Sequence, residues 1–277
     1  MTVLPFSNKS PQTRSTLLHG DCLEHMRHLP AESVDVVVTS PPYNLGIAYG
    51  RYSDDVPRNE YLRWTVEWCE EVKRLLKPQG SFFLNVGASP SNPLLPHEIV
   101  LALRDTFVLQ NTFHWIKSIT VQPRDEAEIS VGHFKPINSK RFVTDCHEYV
   151  FHLTQSGNTP LDRLAIGVAY ADKSNITRWG HTEGRDRRCR GNNWFVPYET
   201  IRNRARQRPH PATFPVQLAE RCLRLHGQVA EQVVLDPFLG IGTALVAAQN
   251  CCVREFVGIE MDAAYLAVAA GRVGPGV

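Results

Sequence analysis

The chain has 277 residues, 43% of them hydrophobic and 21% charged, with a net charge of +2, which fits one large globular domain or one domain with a small insert. No apolar run approaches the roughly 20 residues that span a bilayer, and residues 1–14 lack the apolar centre of a signal peptide, so a cytoplasmic protein is expected. Seven cysteines without a C-x-x-C pair support neither a disulfide framework nor a zinc site.

Residues 1–14, with Pro5 and Pro11, read as a loose arm. Residues 16–19 predict a strand ending at Gly20-Asp21, and 22–29 carry apolar residues at helical spacing up to Pro30. The β-branched run 34–38 predicts a buried strand, stopped at Pro41-Pro42 because proline donates no ladder hydrogen bond and fixes its own φ. Residues 45–59 are polar and read as a long loop. Over 60–76, Leu62, Val66, Cys69, Val72, Leu75 and Leu76 share one face of an amphipathic helix closed by Pro78 and Gly80. A strand at 81–86, a helix at 94–104 and a strand at 107–119 follow. Residues 122–140 read as irregular, and 141–143 with 146–153 as a strand region that pairs with 107–119 in an edge hairpin. Such alternation predicts a parallel sheet with helices on both faces.

From 154 to 198 the alternation stops. Nine arginines stand against three acids in 178–208, which points to a polyanion partner such as nucleic acid, with a solvated arginine-rich loop as the plain alternative. Order resumes with a helix at 216–225 opened by Phe214-Pro215, a strand at 231–235, a glycine-rich turn at 236–243, a helix at 244–249, a strand at 255–259 ending at Glu260, and a helix at 262–272.

Two stretches carry chemistry. At Thr39-Ser40-Pro41-Pro42-Tyr43-Asn44 a strand ends abruptly and leaves carbonyls pointing off its tip. Those carbonyls and the Ser40 hydroxyl are acceptors for an amino group, and the Tyr43 ring is a flat surface for a planar substrate. A proline-terminated strand with a surface tyrosine is equally compatible. In Asp236-Pro237-Phe238-Leu239-Gly240-Ile241-Gly242-Thr243 the glycines admit a ligand close to the backbone, and Glu260, at the tip of the next strand, is placed to accept both hydroxyls of a ribose. The third glycine of a dinucleotide fingerprint is absent. Asp21 reads as a helix cap or as a ligand contact with equal weight.

Together these stretches resemble the two signature motifs of S-adenosylmethionine-dependent DNA amino-methyltransferases. Their order, Ser-Pro-Pro-Tyr first and the glycine turn near the C-terminus, resembles the circularly permuted β group. The resemblance covers about residues 16–272 and implies a class I methyltransferase (Rossmann-like) α/β fold, with a seven-stranded, mostly parallel sheet and helices on both faces. It divides the chain into an arm (1–14), a catalytic half (15–153), a target-recognition insert (154–208) and a cofactor-binding half (209–277). S-Adenosylmethionine is then expected at Asp21, Thr39, Thr213, Phe214, Asp236, Pro237, Phe238, Gly240, Gly242, Thr243 and Glu260, the segment 210–215 resembling a further cofactor-binding motif. Catalysis falls to Ser40, Pro41, Pro42 and Tyr43. A flipped base stacks on Tyr43 and donates from its amine to Ser40 Oγ and the Pro41 carbonyl. DNA contacts fall to Arg185, Arg187, Arg188, Arg190, Trp194, Arg204 and Arg206.

The Ser-Pro-Pro-Tyr form is the one usual in N4-cytosine methyltransferases. The implied partners are double-stranded DNA and a cognate restriction endonuclease, with no membrane contact, no metal, and a monomer or homodimer as the assembly. Methylation at C5 of cytosine needs a cysteine after a proline, and none of the seven follows one. The competing readings are an N6-adenine DNA methyltransferase, an RNA or protein amine methyltransferase, an inactive nucleic-acid-binding module and, with least support, a NAD-dependent enzyme.

Overall fold

Alternating valines build the centre of the fold. In β2 (Val34–Thr39), Val36 and Val38 face one hydrophobic cluster, while Val34 and Val37 face another on the opposite side of the sheet. A strand apolar on both faces requires helices on both, and the chain supplies them. The computed structural model describes residues 13–44, 55–122, 127–132, 138–197 and 213–272. On one face lie α1 (Cys22–His28), α2 (Arg58–Leu75) and α3 (Leu95–Ala102); on the other lie α5 (Val216–His226), α6 (Thr243–Cys251) and α7 (Ala263–Ala270).

The remaining strands are β1 (Arg14–His19), β3 (Leu76–Val86), β4 (Val108–Ile116), β5 (Ser118–Val121), β6 (Ile129–Gly132), β7 (His147–Thr154), β8 (Asn193–Phe195), β9 (Val233–Asp236) and β10 (Glu255–Glu260); a short helix, α4 (Ser174–Arg178), lies between β7 and β8. The main sheet runs β1-β10-β9-β2-β3-β7-β4-β8. Strands β1, β10, β9, β2 and β3 are parallel to one another, and β7 is antiparallel to both β3 and β4. Between β9 and β2 the chain order reverses, so a crevice opens beyond the carboxyl ends of these neighbours, where ligands bind in such sheets.

Several boundaries differ from the sequence expectation, each for a physical reason. The sheet has eight strands, not seven, because Asn193–Phe195 pairs in parallel with β4 at the far edge. Strand β3 begins at Leu76, directly after α2: Leu76 pairs with Val34, Ser81 with Val36, and residues 77–80 bulge between them. Pro78 therefore sits where no ladder donor is needed. Strand 107–119 divides at Lys117, its end turning out to form a separate hairpin with β6, a segment expected to be irregular. The expected pairing of β7 with β4 is antiparallel as anticipated, with β8 outside it. Residues 141–143 are not strand. None of the described helices is long and apolar enough to cross a membrane.

At the other end of the sheet a polar pair is fully enclosed. His152 on β7 stacks on Phe83 at 4.7 Å, and its Nε2 lies 3.0 Å from Ser81 Oγ, which is also 2.9 Å from His226 Nδ1. Burial, with the neighbouring His226, pushes the His152 pKa down to about 3, and burial lowers that of His226. The folded protein thus keeps His152 neutral while the unfolded chain takes up a proton below about 6.5. This part of the stability is intact above pH 6.5 and is lost progressively towards pH 3. From pH 7.5 to 5 the loss is expected to be about 2 kcal/mol from His152, read as a lower urea midpoint. His152→Gln removes that dependence; a midpoint equally pH-sensitive in the variant contradicts this account.

Candidate active site

The carboxyl ends of β1, β10, β9 and β2 surround one cavity of about 150 Å³. Its lining includes Ser40, Pro41, Pro42 and Tyr43 from the end of β2, Pro237, Phe238, Gly240 and Thr243 from the turn after β9, and Glu260 from the end of β10. Asp21, Thr213 and Phe214 complete the wall among the residues expected there. Residues far apart in sequence converge because parallel strands deliver all their C-terminal loops to one edge.

The glycine turn is held from behind. Asp236 is only 1% exposed and lies outside the lining; its Oδ1 accepts from Thr39 Oγ1 at 2.6 Å and from the Phe238 amide at 3.1 Å. It thereby ties the ends of β2 and β9 together and fixes the turn that carries Phe238. Glu260 braces from the other side, Oε2 accepting from the Gly240 amide at 2.7 Å and Oε1 from the Asp262 amide at 2.8 Å. Each oxygen keeps a lone pair for a ligand hydroxyl. Gly242 does not line the cavity: it caps α6 at φ +83°, and a Cβ there would stand 3.0 Å from Ala269 Cβ, so its glycine serves close helix packing. Asp21 caps α1 through the Glu24 amide at 3.1 Å and is also part of the cavity lining.

The residues present fit S-adenosylmethionine. Apolar walls from Phe214, Phe238, Trp64 and Ile259 suit an adenine, Glu260 suits a ribose, and the carboxylates of Asp21, Glu260 and Asp262 suit a cation. Burial, partly offset by the Thr39 and Phe238 hydrogen bonds, raises the Asp236 pKa to about 7, and burial raises that of Glu260. A raised carboxyl pKa means that the empty protein bears the cost of a buried charge as pH rises through 7, whereas a bound cation favours the ionised form. Cofactor affinity is therefore expected to be several-fold tighter at pH 8 than at pH 6. Calorimetry of wild type and Asp236→Asn tests this; the variant should show the flatter profile, and a wild type indifferent to pH contradicts it.

At the tip of β2 the geometry departs from expectation. The Tyr43 side chain is almost buried, and its hydroxyl lies 2.7 Å from Ser40 Oγ, 3.1 Å from Glu148 Oε2 and 3.1 Å from the Asn85 carbonyl. Asn85 Nδ2 donates to Tyr43 Oη and to Glu148 Oε2, both at 2.7 Å, and Lys117 pairs with Glu148 Oε1. Pro42's carbonyl accepts from Tyr61 Oη at 2.7 Å and is thereby occupied, while Pro41 lines the cavity. Asn85 Oδ1 is buried without a partner. Such an orphan acceptor costs about 1–3 kcal/mol, and the amide bears it because its nitrogen faces a carboxylate and a phenol. Glu148, the second residue of β7, contributes this buried carboxylate.

The sequence reading also missed Trp64, Met261 and Tyr265 in the lining. Trp64 had a signal: Tyr61, Trp64 and Trp68 recur at i, i+3 and i+7, an aromatic stripe on α2 that meets Phe238 at 5.6 Å from Trp64 and 5.0 Å from Trp68.

The basic segment is placed less simply. Trp194, expected on the DNA side, is fully buried: it stacks on Phe113 at 4.2 Å and donates from Nε1 to the Gly191 carbonyl at 3.1 Å, so its place is the core. Its β4 neighbour makes it an inward position of an edge strand. Arg187 and Arg190 donate to carbonyls of residues 164–166, stapling that loop, and Arg185 pairs with Glu183. Arg185, Arg187 and Arg188 are exposed. Arg204, Arg206 and the segment 210–212 lie outside the described residues. Among the described residues no group of His, Cys, Asp and Glu could hold a metal ion.

A family model described as DNA methylase (N6_N4_Mtase) matches residues 34–271. The type II methyltransferase M.ScaI of Streptomyces caespitosus is 31% identical over 271 residues, covering 93% of this chain and 80% of that protein. Among solved structures, the chain resembles TTHA0409 of Thermus thermophilus complexed with S-adenosyl-L-methionine, at 25% identity, TM-score 0.61, and coverage of 95% of this chain and 96% of the other. The cytosine-N4-specific PvuII DNA methyltransferase has the same fold at 21% identity and TM-score 0.68, covering 96% of this chain and 89% of that one. The chain belongs to the DNA methylase family and is a DNA methyltransferase of the N6/N4 kind, dependent on S-adenosylmethionine.

Proposed function

We propose that this enzyme methylates N4 of cytosine in duplex DNA, within a restriction-modification system. The observation that carries the reading is the serine form of the motif, Ser40-Pro41-Pro42-Tyr43, with all four residues lining the cavity. Bound S-adenosylmethionine supplies an activated methyl group. An exocyclic amine is a poor nucleophile because its lone pair is delocalised into the ring, so the protein's part is to hold and polarise it. Ser40 Oγ and the Pro41 carbonyl accept the two amine hydrogens and favour a more tetrahedral nitrogen, and the apolar wall excludes water. The base reaches this cavity only when flipped out of the helix. Exposed Arg185 and Arg188, with Arg187 and Arg190 whose forks keep spare donors, contact backbone phosphates.

A second reading, N6 of adenine, fits the same cavity, because the adenine amine offers the same two hydrogens to Ser40 and Pro41. Sequencing the modified bases of host genomic DNA with and without this gene expressed separates the readings. N4-methylcytosine at one short sequence supports the first, N6-methyladenine the second, and no new modification contradicts both.

A further inference from the structure

Beneath Ser40 the network ends on an ion pair that neither the motifs nor the family match assigns. We propose that Glu148, held by Lys117, is a positioning residue that sets the direction of the hydroxyl chain Ser40–Tyr43, so that Ser40 presents a lone pair rather than a proton to the base. The inference deepens the amine-methylation reading and rests on it.

The phenol of Tyr43 has one proton, and acceptors in its reach include Ser40 Oγ at 2.7 Å, the Asn85 carbonyl at 3.1 Å and Glu148 Oε2 at 3.1 Å. A hydrogen bond to a carboxylate is about twice as strong as one to a neutral acceptor, so the proton goes to Glu148. The phenol oxygen then accepts, from Asn85 Nδ2 at 2.7 Å and from the Ser40 hydroxyl at 2.7 Å. With its own proton spent inward, Ser40 Oγ has only lone pairs to offer the cavity. An exocyclic amine finds an acceptor there, and a carbonyl edge such as that of thymine finds a repulsive one.

Two further features fit this assignment. Glu148 and Lys117 keep only 11% and 18% of their side chains exposed, so the carboxylate's field is little screened by water. Gly87 leaves room for the junction: a Cβ there would lie 3.0 Å from the Tyr43 ring and 3.1 Å from the Glu148 carboxyl carbon. A glutamine at 148 reverses the chain. Lys117 claims its oxygen, and its amide nitrogen donates to the phenol. That obliges the Asn85 amide, which donates to this position at 2.7 Å in the wild type, to turn its unpartnered oxygen there. Tyr43 then donates to Ser40, and Ser40 turns its proton towards the amine.

The test is steady-state tritium transfer from S-adenosylmethionine to unmethylated bacterial genomic DNA by wild type, Glu148→Gln, Tyr43→Phe and the double variant. Glu148→Gln and Tyr43→Phe are each expected to lose about 100-fold in kcat. The KM for DNA and the Kd for S-adenosylmethionine should stay within about threefold. Because Glu148 acts through the phenol, adding Glu148→Gln to Tyr43→Phe should cost less than about threefold more, a coupling that a merely structural carboxylate does not show. The inference is overturned if Glu148→Gln keeps wild-type kcat, or loses as much in the Tyr43→Phe background as alone. If Glu148→Gln does not fold, Tyr43→Phe decides: it keeps the ring, and an unchanged kcat removes the hydroxyl chain from the account. A wild type that labels no DNA defeats the amine-methylation reading itself, a result separate from these.

Discussion

Replacing Ser40 by alanine is expected to lower kcat by about 100-fold to 1,000-fold, the loss typical when one preorganised polar partner of the reacting group is removed. The effect should fall on kcat, because the hydrogen bond to Ser40 Oγ strengthens as the amine nitrogen gives up conjugation and becomes tetrahedral. S-Adenosylmethionine affinity should be unchanged, since the residues that fit its adenine and ribose are Phe214, Phe238 and Glu260, on other segments of the chain. The fold should also survive: Ser40 lies beyond β2, and its removal leaves Tyr43 Oη bonded to Asn85 and Glu148. Rapid-quench turnover with tritiated cofactor, alongside calorimetry of cofactor binding, separates the outcomes. An equal loss of cofactor affinity and kcat would place Ser40 in the cofactor wall and out of the reaction.

Replacing Trp194 by alanine is expected to cost about 3–5 kcal/mol of stability, the usual range for emptying a buried aromatic site. Three features of the site put the expectation in that range. The ring is fully buried, it stacks on Phe113 at 4.2 Å, and its strand is at the edge of the sheet, where among the described residues β4 is its one strand partner. Phenylalanine should recover part of the loss. DNA affinity of the folded fraction should not change, whereas Arg188→Ala should weaken DNA binding about uniformly across sequences and reduce its salt dependence by about one counterion. Urea denaturation together with DNA titration at several salt concentrations reads both quantities. A stable Trp194→Ala protein with impaired DNA binding would return this residue to the DNA face.

Much of the fold was legible because the strands of a doubly covered sheet announce themselves. The run 34–38 has no polar residue able to face water on either side except Asp35, and that carboxylate is bound by Lys77 and the Val233 amide. The edge strand at Asn193–Phe195 was not legible: three residues are too few for periodicity, and their pairing is set by β4, some eighty positions earlier. For the same reason Trp194 read as a DNA contact. Arginines on both sides gave a local composition of recognition, while the burial that decides the matter is a property of the tertiary fold. Lys117 and Glu148 stayed invisible in a similar way. Neither stands in a motif, and only the antiparallel insertion of β7 between β3 and β4 brings them under Tyr43. The glycine turn and Glu260 were legible because backbone geometry and a strand-tip acid are local features of sequence. What the turn's aspartate does, tying β9 to β2 through Thr39, is not local and needed the structure.

The proposed reaction moves a methyl group from S-adenosylmethionine to the N4 amine of cytosine in DNA. The decisive measurement is incubation of purified protein with tritiated cofactor and unmethylated duplex DNA, followed by nuclease digestion and chromatography of the nucleosides. Label is expected in N4-methyldeoxycytidine, formed about 100-fold to 1,000-fold more slowly with Ser40→Ala. Label confined to N6-methyldeoxyadenosine, or no transfer to DNA, would contradict it.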